Sequence, residues 1–183
     1  ESYIPGTEHR LLIVGGKLVA ATRGDSVSVI GDGSSTIAEL INLQINSDPR
    51  RGTTENHPLN LIRIDSAAQI EIARQGYESD SIVPVGTKVL VQRNGNHAFD
   101  VTDEVHPSIA SVASLAARVI GLDIAGIDLV VGDISRPLNE QNGAIVEVNA
   151  GPSLLMHIKP VVGTPRPVGK AIVDHLFPDQ DNG

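Results

Sequence analysis

Two carboxylates and one carboxamide in the C-terminal third are spaced to share a single cation. The run Ile145-Val146-Glu147-Val148-Asn149 ends abruptly at Ala150-Gly151-Pro152. Along a strand, side chains two apart point to one face. Glu147 and Asn149 therefore point the same way, and Val146 and Val148 pack on the other side. Upstream, Ala125-Gly126-Ile127-Asp128-Leu129-Val130-Val131 reads as a second strand. Ile127, Leu129 and Val131 share one face, and Asp128 is the lone charge on the other. The polar connection 132–143 predicts an antiparallel hairpin with a long loop. If Asp128 lies opposite Glu147, three oxygen-bearing side chains converge within a few ångströms. Such a set suits magnesium, which takes its remaining ligands from water and substrate phosphates. On spacing alone, the same residues also read as a solvated hairpin face.

The elements that must position this set follow from the chain in order. Gly15-Gly16 is a hairpin turn between β-rich runs at 9–14 and 17–22. A third strand covers 26–30. Ser35 and Thr36 are cap candidates for a helix over 37–46, with Glu39 in its first turn. The polar stretch 47–60 concentrates Arg50, Arg51 and His57, and reads either as a solvated loop or as an anion-facing one. Ser66 is placed to cap a helix reaching Gln75, with Gly76 as its stop. Residues 88–93 form a strand. Pro107 opens the best helix, with Ile109, Val112, Leu115, Ala116 and Val119 as its expected buried stripe and Gly121 as its end. A last helix covers 169–176.

Composition sets the outer limits. The chain has 183 residues, 40% of them hydrophobic, with two Phe, two Tyr and no Trp, so its core must be aliphatic. There is no cysteine, hence no disulfide and no thiolate chemistry, which is compatible with a reducing cytoplasm. The net charge of −8 argues against nucleic acid as the main partner. No apolar run approaches a membrane span, and the first residues lack the basic and apolar regions of a signal peptide. The expectation is a cytoplasmic protein with neither nucleic acid nor membrane as partner. The chain does not open on Met and reads as an excised piece.

Several segments, taken together and in order, carry a resemblance. They are Glu1-Ser2-Tyr3-Ile4-Pro5-Gly6-Thr7-Glu8-His9-Arg10, Ile13-Val14-Gly15-Gly16, Gly126-Ile127-Asp128 and Glu147-Val148-Asn149-Ala150. To these are added Asp48-Pro49-Arg50-Arg51-Gly52, Asp100-Val101-Thr102-Asp103-Glu104-Val105-His106-Pro107, Asp133-Ile134-Ser135-Arg136-Pro137-Leu138 and Leu176-Phe177-Pro178. From end to end the chain resembles the C-terminal part of an ATP-grasp domain of the cyanophycin synthetase family. The resemblance implies an α+β lobe, a mainly antiparallel sheet with packed helices. It implies a partial ATP-grasp domain over 1–176 and a linker over 177–183 toward an absent Mur-ligase-like domain.

The implied chemistry is ATP-dependent amide ligation. A carboxylate is phosphorylated and an amine attacks the acyl phosphate, adding aspartate to the polyaspartate backbone of cyanophycin. The implied cofactors are ATP and Mg2+, and the implied partners are aspartate and an aspartate–arginine polymer primer, with a homo-oligomer expected. By the same resemblance Glu1, Ser2, Tyr3 and Ile4 match the hinge that lines the adenine, and Glu8 the carboxylate on the ribose hydroxyls. Asp128, Glu147 and Asn149 match the magnesium ligands, and Arg10 a fixed cation toward the phosphates or acyl phosphate. His157 and Lys159 follow the metal strand and are candidates for touching the acceptor.

Two departures stand out. The phosphate-contacting lysines of such domains precede the hinge, and this chain begins at the hinge. A Ser-Thr-Gly-Gly-like loop of the family is replaced by Asn94-Gly95-Asn96-His97-Ala98-Phe99. This piece alone is therefore expected to be inactive. Two alternatives stay open: a glutathione synthetase-like or D-alanine ligase-like enzyme, and a non-catalytic binding or oligomerisation module.

Overall fold

A computed structural model of the chain describes residues 4–54, 56–93 and 97–178. The chain opens with the expected hairpin. Strand β1 (Thr7–Val14) turns at Gly15 and Gly16, both at positive φ (55° and 72°), into β2 (Lys17–Gly24). Positive φ at both central residues matches the right-handed twist of the flanking strands. Within the described residues, two compact units then separate, one made of 1–24 with 97–183 and the other of 25–96.

The 25–96 unit holds β3 (Val27–Ile30), α1 (Ile37–Ile41), the two-residue strands β4 (Arg51–Gly52) and β5 (Leu59–Asn60), α2 (Ser66–Arg74) and β6 (Lys88–Gln92). Strand β3 pairs antiparallel with β6, and β4 pairs parallel with β5. Helix α1 begins with a full capping box. The Thr36 hydroxyl accepts from Glu39 N, and Glu39 reaches back to Thr36 N at 2.8 Å. The expected helix over 37–46 continues past Ile41 as one wide π-helical turn, Asn42–Asn46. Its last residue is pinned outside the helix: Asn46 accepts from Ile62 N and donates to Ile62 O. Helix α2 is capped by Asp65, whose carboxylate accepts from Ala68 N, and not by Ser66. A carboxylate is the better acceptor for orphan N–H groups and also meets the helix dipole. The aliphatic core of this unit gathers Ile37, Leu40, Ile72, Val83, Val89 and Val91.

The other unit adds β7 (His97–Asp100), α3 (Pro107–Ile120), β8 (Ile124–Val131), β9 (Ala144–Asn149), α4 (Leu155–Ile158) and α5 (Val168–Leu176). Its five-stranded sheet runs β7-β2-β1-β8-β9, and every pairing is antiparallel. The α+β class and mainly antiparallel sheet expected from the sequence are what the structure has.

One face of this sheet packs on α3. Leu11, Ile13, Ala21, Ile127, Leu129 and Val131 meet Ile109, Ala113 and Ala117 there. Each fully buried Leu or Ile contributes roughly 1.5–3 kcal/mol relative to exposure. The opposite face is covered in part by α5, where Val168 packs on Leu12, Val14 and Ala20. The other part of that face is polar.

The structure departs from the sequence expectation at two places. The buried stripe of α3 is Ile109, Ala113, Ser114 and Ala117, while Val112, Leu115, Val119 and Ile120 are exposed. Small residues face the sheet because they let the helix approach closely, so the larger side chains lie outside. Val146 does not pack under the sheet. It is the extra residue of a bulge, since Asp128 pairs with Glu147 but Leu129 pairs with Ile145. Ile145 and Val148 take the inward places.

Candidate functional site

The polar face carries one continuous row of side chains. Registered pairs in an antiparallel sheet share a face. Asp100 pairs with Thr22, Thr22 with Arg10, Arg10 with Asp128, and Asp128 with Glu147. The row crosses all five strands from β7 to β9. The bulge at Val146 sets its far end, because the shift keeps Glu147 opposite Asp128 while Ile145 stays inward.

Arg10 and Asp128 form a two-pronged ion pair. Arg10 Nε donates to Asp128 Oδ1, and Nη2 donates to Oδ2 at 2.9 Å. Their side chains are 16% and 5% exposed. Asn149, registered beside Gly126, donates its amide to Asp128 Oδ2 at 3.1 Å. Glu147 stays exposed at the rim. Gly126 makes this crowding possible, since a Cβ there would lie 2.7 Å from Pro152 Cβ and 3.3 Å from Arg10 Cδ.

Glu8 lies on the same face, two residues before Arg10. Burial, reinforced by Asp128, holds its carboxyl above the usual range, against the opposing pull of Arg10. At the β7 end, Arg166 clamps Asp100 through Nε at 3.0 Å and Nη2 at 2.6 Å, and also reaches Asp103 at 2.7 Å. Thr164 N adds a bond to Asp100. Asp100 loses solvation by burial, but these bonds dominate and hold its carboxyl below the usual range. Thr22 is fully buried, and its Oγ1 has no hydrogen-bond partner among the described residues.

Of the residues singled out in the sequence, Glu8, Arg10, Asp128, Glu147 and Asn149 are thus brought onto one face. Ile4 lies half-buried just before β1. Glu1, Ser2 and Tyr3 lie outside the described residues, as do Asn94 to Asn96 and the end of the 177–183 stretch. His157 is buried at 1% exposure on α4, and Lys159 is exposed. In the 47–60 stretch the cations are locally engaged. Arg50 is matched by Asp48 at 2.6 Å, whose carboxyl is lowered to about 2, Arg51 donates to Asn60 O, and His57 meets Thr54 Oγ1.

The donor set fits magnesium in type. Among the described residues, no cluster of three or more His, Cys, Asp or Glu side chains is placed to hold a metal alone. Two carboxylates and one amide match the partial protein shell that magnesium accepts when substrate oxygens and water complete it. Sequence reasoning missed Thr22, Asp100 and Arg166, which lie on separate segments and meet only through strand register.

No protein-family model matches the chain. A cyanophycin synthetase of Trichormus variabilis is 45% identical over 188 residues, which cover 100% of this chain and 21% of that protein. Over its whole length the chain is similar to cyanophycin synthetases. That of Synechocystis is also 45% identical, over 97% of this chain and 21% of its own. The glutathione biosynthesis bifunctional protein GshAB of Streptococcus thermophilus is 35% identical over 98% of the chain and 24% of its own length. Among solved structures, a bifunctional glutathione synthetase from Pasteurella multocida superposes with a TM-score of 0.66 and 30% identity, covering 98% of this chain and 25% of that one. The fold is an ATP-grasp C-terminal lobe. The chain spans about a fifth of the length of the cyanophycin synthetases it matches. No helix among the described residues is long and apolar enough to cross a membrane.

Proposed function

We propose that this chain forms the cation- and phosphate-facing part of an ATP-dependent carboxylate–amine ligase that extends an aspartate polymer of the cyanophycin type. The observation that carries this reading is the juxtaposition of Asp128, Glu147 and Asn149 with Arg10 on one sheet face, in a chain similar to cyanophycin synthetases from end to end. Asp128, Glu147 and Asn149 would hold magnesium, which when bound neutralises phosphate charge as the phosphoryl group moves.

The chain's own residues then have distinct tasks. Arg10 presents a fixed guanidinium to the anionic groups of the activated carboxylate. Glu8 accepts from the nucleotide's hydroxyls, and the stretch from Glu1 to Ile4 lines its base. The Asp100–Arg166 clamp fixes the backbone around Thr164 to the β7 end of the row. The carboxylate takes the γ-phosphoryl group of ATP, releasing ADP; the amine then displaces phosphate from the acyl phosphate and loses a proton, giving the amide.

The test uses a protein carrying this chain at its relatives' full length. ADP release should require aspartate and an aspartate–arginine primer together. Glu147→Gln removes charge but little volume at an exposed position, so it should abolish most turnover while leaving the melting temperature nearly unchanged. Normal turnover in that variant would refute the assignment. The likeness to GshAB favours a second reading, a glutathione-type acceptor; ADP release driven by γ-glutamylcysteine and glycine, and not by primer, would select it.

A further inference from the structure

We propose that Arg10 is an internal competitor for the cation site: Arg10 and a divalent cation hold Asp128 in turn, and Thr22 receives the guanidinium when Asp128 is taken. This rests on the cation reading above. Lone-pair accounting supplies the first part. A carboxylate offers about four acceptor positions. On Asp128, Oδ2 accepts from both Arg10 Nη2 and Asn149 Nδ2, and Oδ1 accepts from Arg10 Nε. Little of the group is left for a cation. Asn149 also faces Asp128 with its amide nitrogen, so it must turn its oxygen inward before it can ligate. A guanidinium seated on the same carboxylate also repels an entering cation. Its coupling to Asp128 is strong because both side chains are largely buried, which weakens solvent screening.

The second part comes from the row. Arg10 has two registered neighbours on its face, Asp128 on β8 and Thr22 on β2. Thr22 is fully buried, and its hydroxyl has no hydrogen-bond partner among the described residues. A buried hydroxyl without a partner costs free energy, so such a group persists where a partner arrives in another state. Beyond Thr22, Asp100 is already engaged by Arg166. The Thr22 hydroxyl is therefore the acceptor next in line when Arg10 leaves Asp128. Cation entry and transfer of the guanidinium to Thr22 become one event, which releases the arginine's positive charge from Asp128 only when the site is loaded.

The test measures Mn2+ binding to the 183-residue chain by the loss of free-ion paramagnetic signal, with circular dichroism as the folding check. Arg10→Met should bind Mn2+ at least about tenfold tighter than the unsubstituted chain, since a charged hydrogen-bonded competitor is removed. Arg10→Lys, which keeps charge but cannot fork onto two oxygens, should fall between them and covers the case in which the Met variant misfolds. Thr22→Val should weaken binding severalfold in the Arg10 background and have no effect in the Arg10→Met background. Asp128→Asn should abolish binding in either. If Mn2+ binds and depends on Asp128, but neither Arg10 variant binds tighter, the competition is overturned while the cation site stands. If Thr22→Val has no effect, the handover to Thr22 is overturned. If no chain binds Mn2+, the cation reading fails and takes this proposal with it.

Discussion

Arg10 and Asp128 face each other across the β1–β8 pair, the guanidinium Nη2 lying 2.9 Å from Oδ2 with both side chains largely shielded from water. Such a pair is costly to break from one side, because the remaining charge is left buried and alone. Asp128→Ala should therefore destabilise the chain by roughly 3 kcal/mol, read from urea unfolding. The double change Arg10→Met with Asp128→Leu should cost clearly less than the sum of the single changes. Strict additivity would show that the two groups do not act as a pair.

The Asp100–Arg166 clamp has a pH signature. The Asp100 carboxyl is held below its ordinary value in the fold. A depressed carboxylate contributes stability that is present above its unfolded pKa and is lost as pH falls through the folded one. Arg166→Ala should cost roughly 2–4 kcal/mol near neutral pH, since it strands a largely buried carboxylate. That cost should shrink as pH falls through the ordinary aspartate range and below it, where the unfolded chain takes up the proton first and the folded Asp100 only later. Melting temperatures of both forms from pH 7 to pH 2.5 would check this. A constant difference across the range would show that the arginine acts by packing alone.

The hairpins and the shared face of Asp128, Glu147 and Asn149 were legible because their signals are local. Alternation set the faces of β8 and placed Glu147, Val148 and Asn149 on β9, and Gly15-Gly16 fixed the hairpin. Register was not legible, since two bulges decide it. Counting outward from the Gly15-Gly16 turn puts Ala21 opposite Arg10. The structure pairs Arg10 with Thr22 because β2 carries one extra residue between Leu18 and Ala20. A one-residue slip exchanges the two faces of a strand, so Thr22 and Asp100 could not be placed in the row from spacing. Val146 shows the same limit on β9. Arg166 sits 66 residues from Asp100, beyond any local pattern.

Gly126 occupies a crowded point of the candidate site. A Cβ at this position would stand 2.7 Å from Pro152 and press on the stem of Arg10. Gly126→Ala should therefore displace Pro152 or Arg10 and cost roughly 1–3 kcal/mol, the range for overpacking a filled site. Strand propensity alone would favour Ala over Gly. A neutral or stabilising effect in thermal unfolding would mean that the segment after Gly151 yields without resistance.

Helix α3 offers a test on its outer face. Leu115, Val119 and Ile120 are 51%, 74% and 61% exposed, while Ala113 and Ala117 are pressed on the sheet at 2% and 0%. Surface substitutions away from special features usually stay within about 0.5 kcal/mol. Leu115→Lys and Val119→Lys should thus be nearly neutral for unfolding. Ala117→Leu should cost roughly 1–3 kcal/mol, because no space exists for three added carbons. Neighbouring exposed aliphatics also promote association, so the lysine variants should reduce any concentration-dependent increase in mass seen by light scattering. The opposite ordering, with Val119→Lys more damaging than Ala117→Leu, would place the buried face of α3 on the side expected from its larger side chains and contradict the packing of Ala113 and Ala117 on the sheet.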